Sequence, residues 1–475
     1  MTRTYLKPRL EEIEIPMENP FAHCALGRGQ YAQILTDVVN VYAHSGCVLA
    51  LEGQWGTGKT TFVRMWRQYL ANLNYHTLYF NAWETDYTAD PLIAMLAELK
   101  EIGGDTENFN KVVATSGRVL LAVGKGLLKK FTGIHADEVA DSVTDGMEEI
   151  GQDFLKEYAG QKASFRKFKQ KLQEFVADKA TEHPIVFFID ELDRCNPAYA
   201  VKVLERVKHL FDIPNIIFVL AVNKQQLGCA IQGYFGSSQM DADEYLRRFI
   251  DIEYTLPEPD MEKFCKMLYD KYEFGQFFHN NKRLEYFGNR NETGVFTETA
   301  SRILQHLRLN LREVDKIFAH TRLALASFDT NTYLLPDVFF LLSLWKVSDA
   351  TFYEKLRNHK LSVQDLLSEF ENRFSDIMEK RSDIYDPVRY VALDYTLVTL
   401  LNCYNTTDQG LCKEGDLVDY DEDSKPRLQL PLNSKYISKT ELANLLSDSR
   451  RREHCRYGLS YIFKRIDLLS PLRIN

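Results

Sequence analysis

The run Gly53-Gln54-Trp55-Gly56-Thr57-Gly58-Lys59-Thr60-Thr61 holds the residues with the clearest chemical purpose. Its G-x-x-x-x-G-K-T spacing, with a further glycine at position 56, is that of a loop that wraps phosphate groups. Glycines let the backbone curl until successive N–H groups point inward, and a helix starting just after adds partial positive charge beneath them. Lys59 would then reach the β- and γ-phosphates, and the Thr60 hydroxyl would ligate Mg²⁺. Gly53, Trp55, Gly56, Thr57, Gly58, Lys59, Thr60 and Thr61 are the expected nucleotide-binding residues, with ATP and Mg²⁺ as the expected ligands.

A second group supplies acids. Ile185-Val186-Phe187-Phe188-Ile189 is an apolar run that ends on Asp190-Glu191-Leu192-Asp193-Arg194. In an open α/β sheet, ligands sit outside the carboxyl ends of the strands. Asp190 is thus placed to hold Mg²⁺ through water. Glu191, one residue on and pointing elsewhere, is the candidate for activating an attacking water. A third apolar run, Ile216–Val222, ends on Asn223. Asn223 either senses the γ-phosphate and orients the water, or caps the helix that starts near Lys224.

These residues need a scaffold, and the flanking sequence describes one. Cys47–Glu52 suits a buried parallel strand, and Phe62–Leu70 has helical periodicity. The expected fold is α/β: a parallel sheet flanked by helices, with a helical insertion, a helical lid and a mainly α C-terminal region. The expected boundaries are a lead over 1–24, a core over 25–258 with the insertion at 103–178, a lid over 259–328 and a C-terminal domain over 329–475. Pro257-Glu258-Pro259 marks the break after the core, and the acidic stretch Glu414–Asp423 reads as a loop.

Composition removes whole classes. With 45% hydrophobic and 26% charged residues, the 475-residue chain is neither disordered nor fibrous. A formal charge of −9 argues against non-specific coating of DNA, so nucleic acid is an open but unindicated partner. The eight cysteines are scattered without a C-x-x-C pair, which favours reduced thiols in a cytoplasmic protein over a disulfide or zinc scaffold. Apolar runs fall short of the ~20 residues of a spanning helix. Neither H-E-x-x-H nor G-x-S-x-G occurs, and the 11 histidines form no metal spacing. Basic runs at Lys125–Phe131, Phe165–Leu172 and Arg450-Arg451-Arg452 read first as solvated helix faces and second as anionic-surface contacts. Trp83 reads first as core packing; Trp55 would cover the loop or touch a base.

In these motifs the chain resembles the KAP family of P-loop NTPases, relatives of the AAA+ and STAND ATPases. The likeness runs through Ala25-Leu26-Gly27-Arg28, the tryptophan-bearing loop, Tyr79-Phe80-Asn81-Ala82-Trp83-Glu84, Ile189–Cys195, Tyr245–Ile250 and Asn310-Leu311-Arg312-Glu313-Val314-Asp315-Lys316. Together these span roughly residues 20–325 in the family's order. Leu311 stands where the family usually has proline, and the insertion lacks the membrane-spanning pair of many members. The resemblance implies an ATPase that drives or gates a protein assembly, as the sensor or motor part of a bacterial anti-phage or anti-plasmid system. It also implies a homo-oligomer acting beside a separate effector protein. Arg312, on a helix after the core, is the candidate γ-phosphate sensor. Arg194, Arg247 and Arg248 are further candidates, or ordinary surface arginines. The alternatives are a slow-turnover, nucleotide-dependent scaffold and a nucleic-acid-stimulated ATPase.

Overall fold

The structure is a computed structural model that describes residues 13–88, 90–104, 106–117, 119, 147–288, 290–379, 387–451 and 458–468. It divides after Glu258 into two compact units.

The first unit is built on five parallel strands, β1 (Cys47–Glu52), β2 (Thr77–Asn81), β3 (Ile185–Asp190), β4 (Ile216–Val222) and β5 (Ile252–Thr255), in the order β2-β3-β4-β1-β5. β1, β3 and β4 are near-continuous apolar runs because both of their faces are covered, so neither face selects for polar residues. Alternate residues feed two cores. Leu49, Leu51, Val186, Phe188, Ile217 and Val219 face α1 (Gly29–Val41) and α2 (Lys59–Asn72). Ala50, Phe187, Ile189, Phe218 and Leu220 face α3 (Pro91–Gly103), α4 (Met147–Lys179), α5 (Pro197–Leu210) and α6 (Lys224–Phe235). Caps written in the sequence start two of these helices. Asp90 accepts from Leu92 N–H before Pro91, and Asn196 accepts from Ala198 N–H before Pro197. Asp90 also pairs with buried Arg206, which ties α3 to α5.

The basic run Phe165–Leu172 lies on α4. Phe168 and Leu172 are buried on the sheet, while Lys169 pairs with Asp212 and Lys171 with Glu174. It is an ordinary half-buried helix with two of its lysines in ion pairs. The run at Lys125–Phe131 lies outside the described residues.

The second unit is mainly helical. Residues 259–328 and those after 328 share one aromatic core. Phe296 and Phe318, on helices Glu292–His306 and Leu311–Leu325, pack their rings 5.4 and 5.9 Å from Phe340 on helix Pro336–Ser348. The acidic stretch is more ordered than its composition indicates. Val418–Tyr420 pairs antiparallel with Pro426–Leu428. The Asp421 carboxylate closes the turn by accepting from the N–H groups of Asp423 and Lys425, while Ser424 takes a positive φ of 61°. An acidic side chain can organise a turn locally, which composition alone does not reveal. Nearby, Arg450 pairs with Asp416 and Arg451 lies over Tyr420. Among the described residues, no helix is long and apolar enough to cross a membrane.

Trp66 anchors the α2 face: it is fully buried, donates to Thr36 Oγ1 and meets Phe188 edge-on. Trp66→Ala should destabilise the first unit by about 3–5 kcal/mol, read from urea unfolding. A loss under about 1 kcal/mol would mean that this core repacks freely.

Candidate nucleotide site

The site forms where β1, β4 and β3 end side by side. The register sets Glu52 beside Val222, and Asp190 beside Ala221. Gly53 N–H extends the ladder by donating to Val222 O, so the loop leaves the sheet level with Asn223. Gly56 and Gly58 take φ of 78° and 82°, which side chains resist. Gly58 is the N-cap of α2 and brings no capping side chain. The first amides of an α-helix lack an intrahelical carbonyl partner, and Gly58 offers no side chain to cap them, so this helix start is suited to meeting phosphate. Thr61 completes this first turn. Lys59 is largely buried, and its ammonium spans the loop to the carbonyls of Gly53 and Gln54 at 2.5 and 3.0 Å. The Thr57 hydroxyl braces the same turn on Gln54 O.

Arg28 braces the loop from behind. It is 2% exposed and donates to Thr57 O at 2.7 Å and to Pro257 O at 3.0 Å. Burial lowers its pKa to about 10, still well above neutrality. Only the resemblance drew attention to Arg28, because its role depends on carbonyls 29 and 229 residues away.

Asp190 is 1% exposed and accepts from the Tyr79 hydroxyl at 3.1 Å and from Glu191 N–H at 2.8 Å, with the Thr60 hydroxyl near enough to lower its pKa. The structure thus brings the loop threonine and the strand-end aspartate to the same edge of the sheet. A hydroxyl and a carboxylate are hard oxygen donors, a set that suits Mg²⁺ bound with a triphosphate. Burial raises the Asp190 pKa, and the neighbouring Thr60, Glu191 N–H and Tyr79 donors only partly offset this. Burial and the neighbouring carboxylate raise Tyr79 as well, so it remains a donor.

Glu191 takes a left-handed φ of 59°, a strained conformation for a residue with a side chain, and opens the turn Leu192–Arg194. Both of its carboxylate oxygens are engaged: one with Arg194 at 3.1 Å, the other by the Asn81 amide at 3.4 Å. Asn81, at the end of β2, had no role in the sequence reading because its partner lies 110 residues away. Asp193 accepts from Trp55 Nε1 at 2.5 Å and from Asn223 N–H at 3.0 Å. The Asn223 side chain accepts from Gln226 N–H, so it caps α6 at the edge of the phosphate site. Trp83 departs from the expected core packing. It is 50% exposed and lies under Arg194, because β2 ends at Asn81 and the short turn Trp83–Thr85 carries it outward.

Arg247 and Arg248 take no part in these contacts. Arg247 pairs with Glu244, and Arg248 is exposed. Arg312 belongs to the second unit, in the first turn of Leu311–Leu325, where Asn310 and Glu313 form a capping box.

The raised Asp190 pKa has a direct consequence. The folded protein holds this charge at a cost that applies above its folded pKa and is relieved as pH falls and the carboxyl takes up a proton. In the absence of nucleotide, Asp190→Asn should melt at a higher temperature than wild type near neutral pH, with the gap closing in acid. It should also lose Mg²⁺-dependent stabilisation by nucleotide. A lower melting temperature for the variant at neutral pH would contradict this reading of the site.

Over 255 residues the chain is 22% identical to the phage T7 exclusion protein of Escherichia coli (strain K12). That match covers 49% of this chain and 33% of the relative, so the chain accounts for about a third of that protein's length. Among solved structures, Drosophila ORC bound to DNA aligns over 95% of this chain and 88% of its own, at 12% identity and a TM-score of 0.37. Aeropyrum pernix ORC2 in its ADPNP-ADP complexes aligns over 90% and 94%, at 12% identity and a TM-score of 0.32. The KAP family P-loop domain matches residues 28–324, well over half of the chain, and the protein belongs to that family.

Proposed function

We propose that the chain is an ATPase that binds ATP with Mg²⁺ and uses hydrolysis to drive or gate a protein assembly. The observation that carries this reading is the strand register that ends β1 and β3 at one edge of the sheet, which sets the phosphate loop beside the acidic strand end at Asp190. In the reaction, the helix amides and Lys59 hold the phosphates, the lysine exchanging its bonds to Gly53 and Gln54 carbonyls for phosphate oxygens. Thr60 and Asp190 would hold Mg²⁺, which neutralises phosphate charge. Glu191 takes the proton of the water that attacks the γ-phosphorus, and ADP and inorganic phosphate leave. Asn223, which follows β4 at that edge and caps α6 with its side-chain oxygen, would orient that water through its amide NH2. Arg312 would be the γ-phosphate sensor.

A role in anti-phage defence is supported by the name of the Escherichia coli relative, which is a phage exclusion protein. In that role this chain is the sensor or motor, in a homo-oligomer that acts beside a separate effector. A slow-turnover scaffold is the second reading. It is favoured by the engagement of both Glu191 oxygens, which must be released before the carboxylate can take a proton.

Lys59→Ala should abolish nucleotide binding or turnover. Glu191→Gln should lower phosphate release by about a hundredfold or more while ATP still binds. Retained hydrolysis in the Lys59→Ala protein would overturn the assignment. Particle mass with and without a non-hydrolysable ATP analogue, set beside the turnover rate, separates motor from scaffold.

A further inference from the structure

Asp193 is the acid in this cluster that the mechanism above leaves without a task. It is 8% exposed, and one of its oxygens, Oδ2, receives both the Trp55 indole N–H and the main-chain N–H of Asn223. The adjacent cation, Arg194, pairs with Glu191 instead. Burying a carboxylate on two uncharged donors is costly, and each bond to it is correspondingly strong. Trp55 gains little from packing, since its side of the pair is 43% exposed and belongs to neither core of the sheet. An indole left in the open would satisfy its N–H with water. The arrangement is therefore better suited to fixing a distance than to burying apolar surface.

That distance is between the tip of the phosphate loop, at residue 55, and the end of β4, at residue 223. Asp193 also sits in the turn that begins with strained Glu191, so its two bonds hold that turn in place. We propose that Asp193 and Trp55 form a positioning pair: the carboxylate clamps the loop tip to the β4 end and thereby sets where a γ-phosphate lies relative to Glu191 and Asn223. This rests on the ATPase reading. Grip on the nucleotide comes from Lys59 and the first amides of α2, which the clamp does not touch. Its effect falls on the alignment of water and phosphate, where a shift of about 1 Å can cost ~100-fold in rate. The clamp therefore acts on kcat rather than on nucleotide affinity.

The test is a double-mutant cycle in the full chain with Trp55→Phe, Asp193→Asn and both together. The measurements are ATP turnover, KM, affinity for a fluorescent ADP analogue and thermal melting. Trp55→Phe keeps an aromatic ring and removes only the donor. It should lower kcat about tenfold. Its KM, its affinity for the ADP analogue and its melting temperature should stay near wild type. Asp193→Asn should lose at least as much, and the double variant no more than Asp193→Asn alone, because one interaction is removed twice. Wild-type kcat in Trp55→Phe, a loss confined to KM, or losses that multiply in the double variant would overturn the proposal. If Asp193→Asn does not fold, Trp55→Phe decides alone through its split between kcat and KM. A wild-type chain that neither binds the ADP analogue nor releases phosphate would overturn the ATPase reading, and the clamp with it.

Discussion

Everything at the nucleotide site depends on the register of β1 and β3 against β4. Because these strands run parallel, all their carboxyl ends emerge at one edge of the sheet. Because Glu52 and Asp190 sit level with Val222 and Ala221, the phosphate loop and the acidic turn leave that edge at the same height. A slip of one residue would turn every side chain of the moved strand to the other face, and Asp190 would leave Thr60 for the opposite core. Close packing of particular side chains on both faces opposes that slip, so the two hydrophobic cores hold the register of the site.

Charges buried at this edge are held in different ways, and each suits its purpose. Asp190 is surrounded by hydroxyl and amide donors rather than cations, a half-satisfied state that favours a metal ion over a salt bridge. Arg28 has two carbonyls and no carboxylate, which fixes the back of the loop without adding negative charge beside phosphate. Glu191 has a cation on one oxygen and an amide on the other.

The phosphate loop, the acidic strand end, the strands around them and the family were all legible in the chain. Each is a local pattern: glycine spacing before Lys59, an apolar run before Asp190, and the ordered motifs that match from residue 28 to 324. Trp83 was misread for lack of a local signal, because whether a tryptophan after a strand turns inward depends on where the strand stops. The hairpin at Val418–Tyr420 was missed because its acidic composition masks a turn held by one aspartate.

The sequence by itself determined the chemistry: a lysine, a threonine, two acids and a glycine-rich loop in an order that serves phosphate. Tertiary structure alone decided the partnerships among them. Asn81 with Glu191, Trp55 with Asp193 and Arg28 with Pro257 are joined across 110, 138 and 229 residues. No periodicity or spacing encodes such pairs, because they arise only once the parallel sheet has packed and brought its strand ends together.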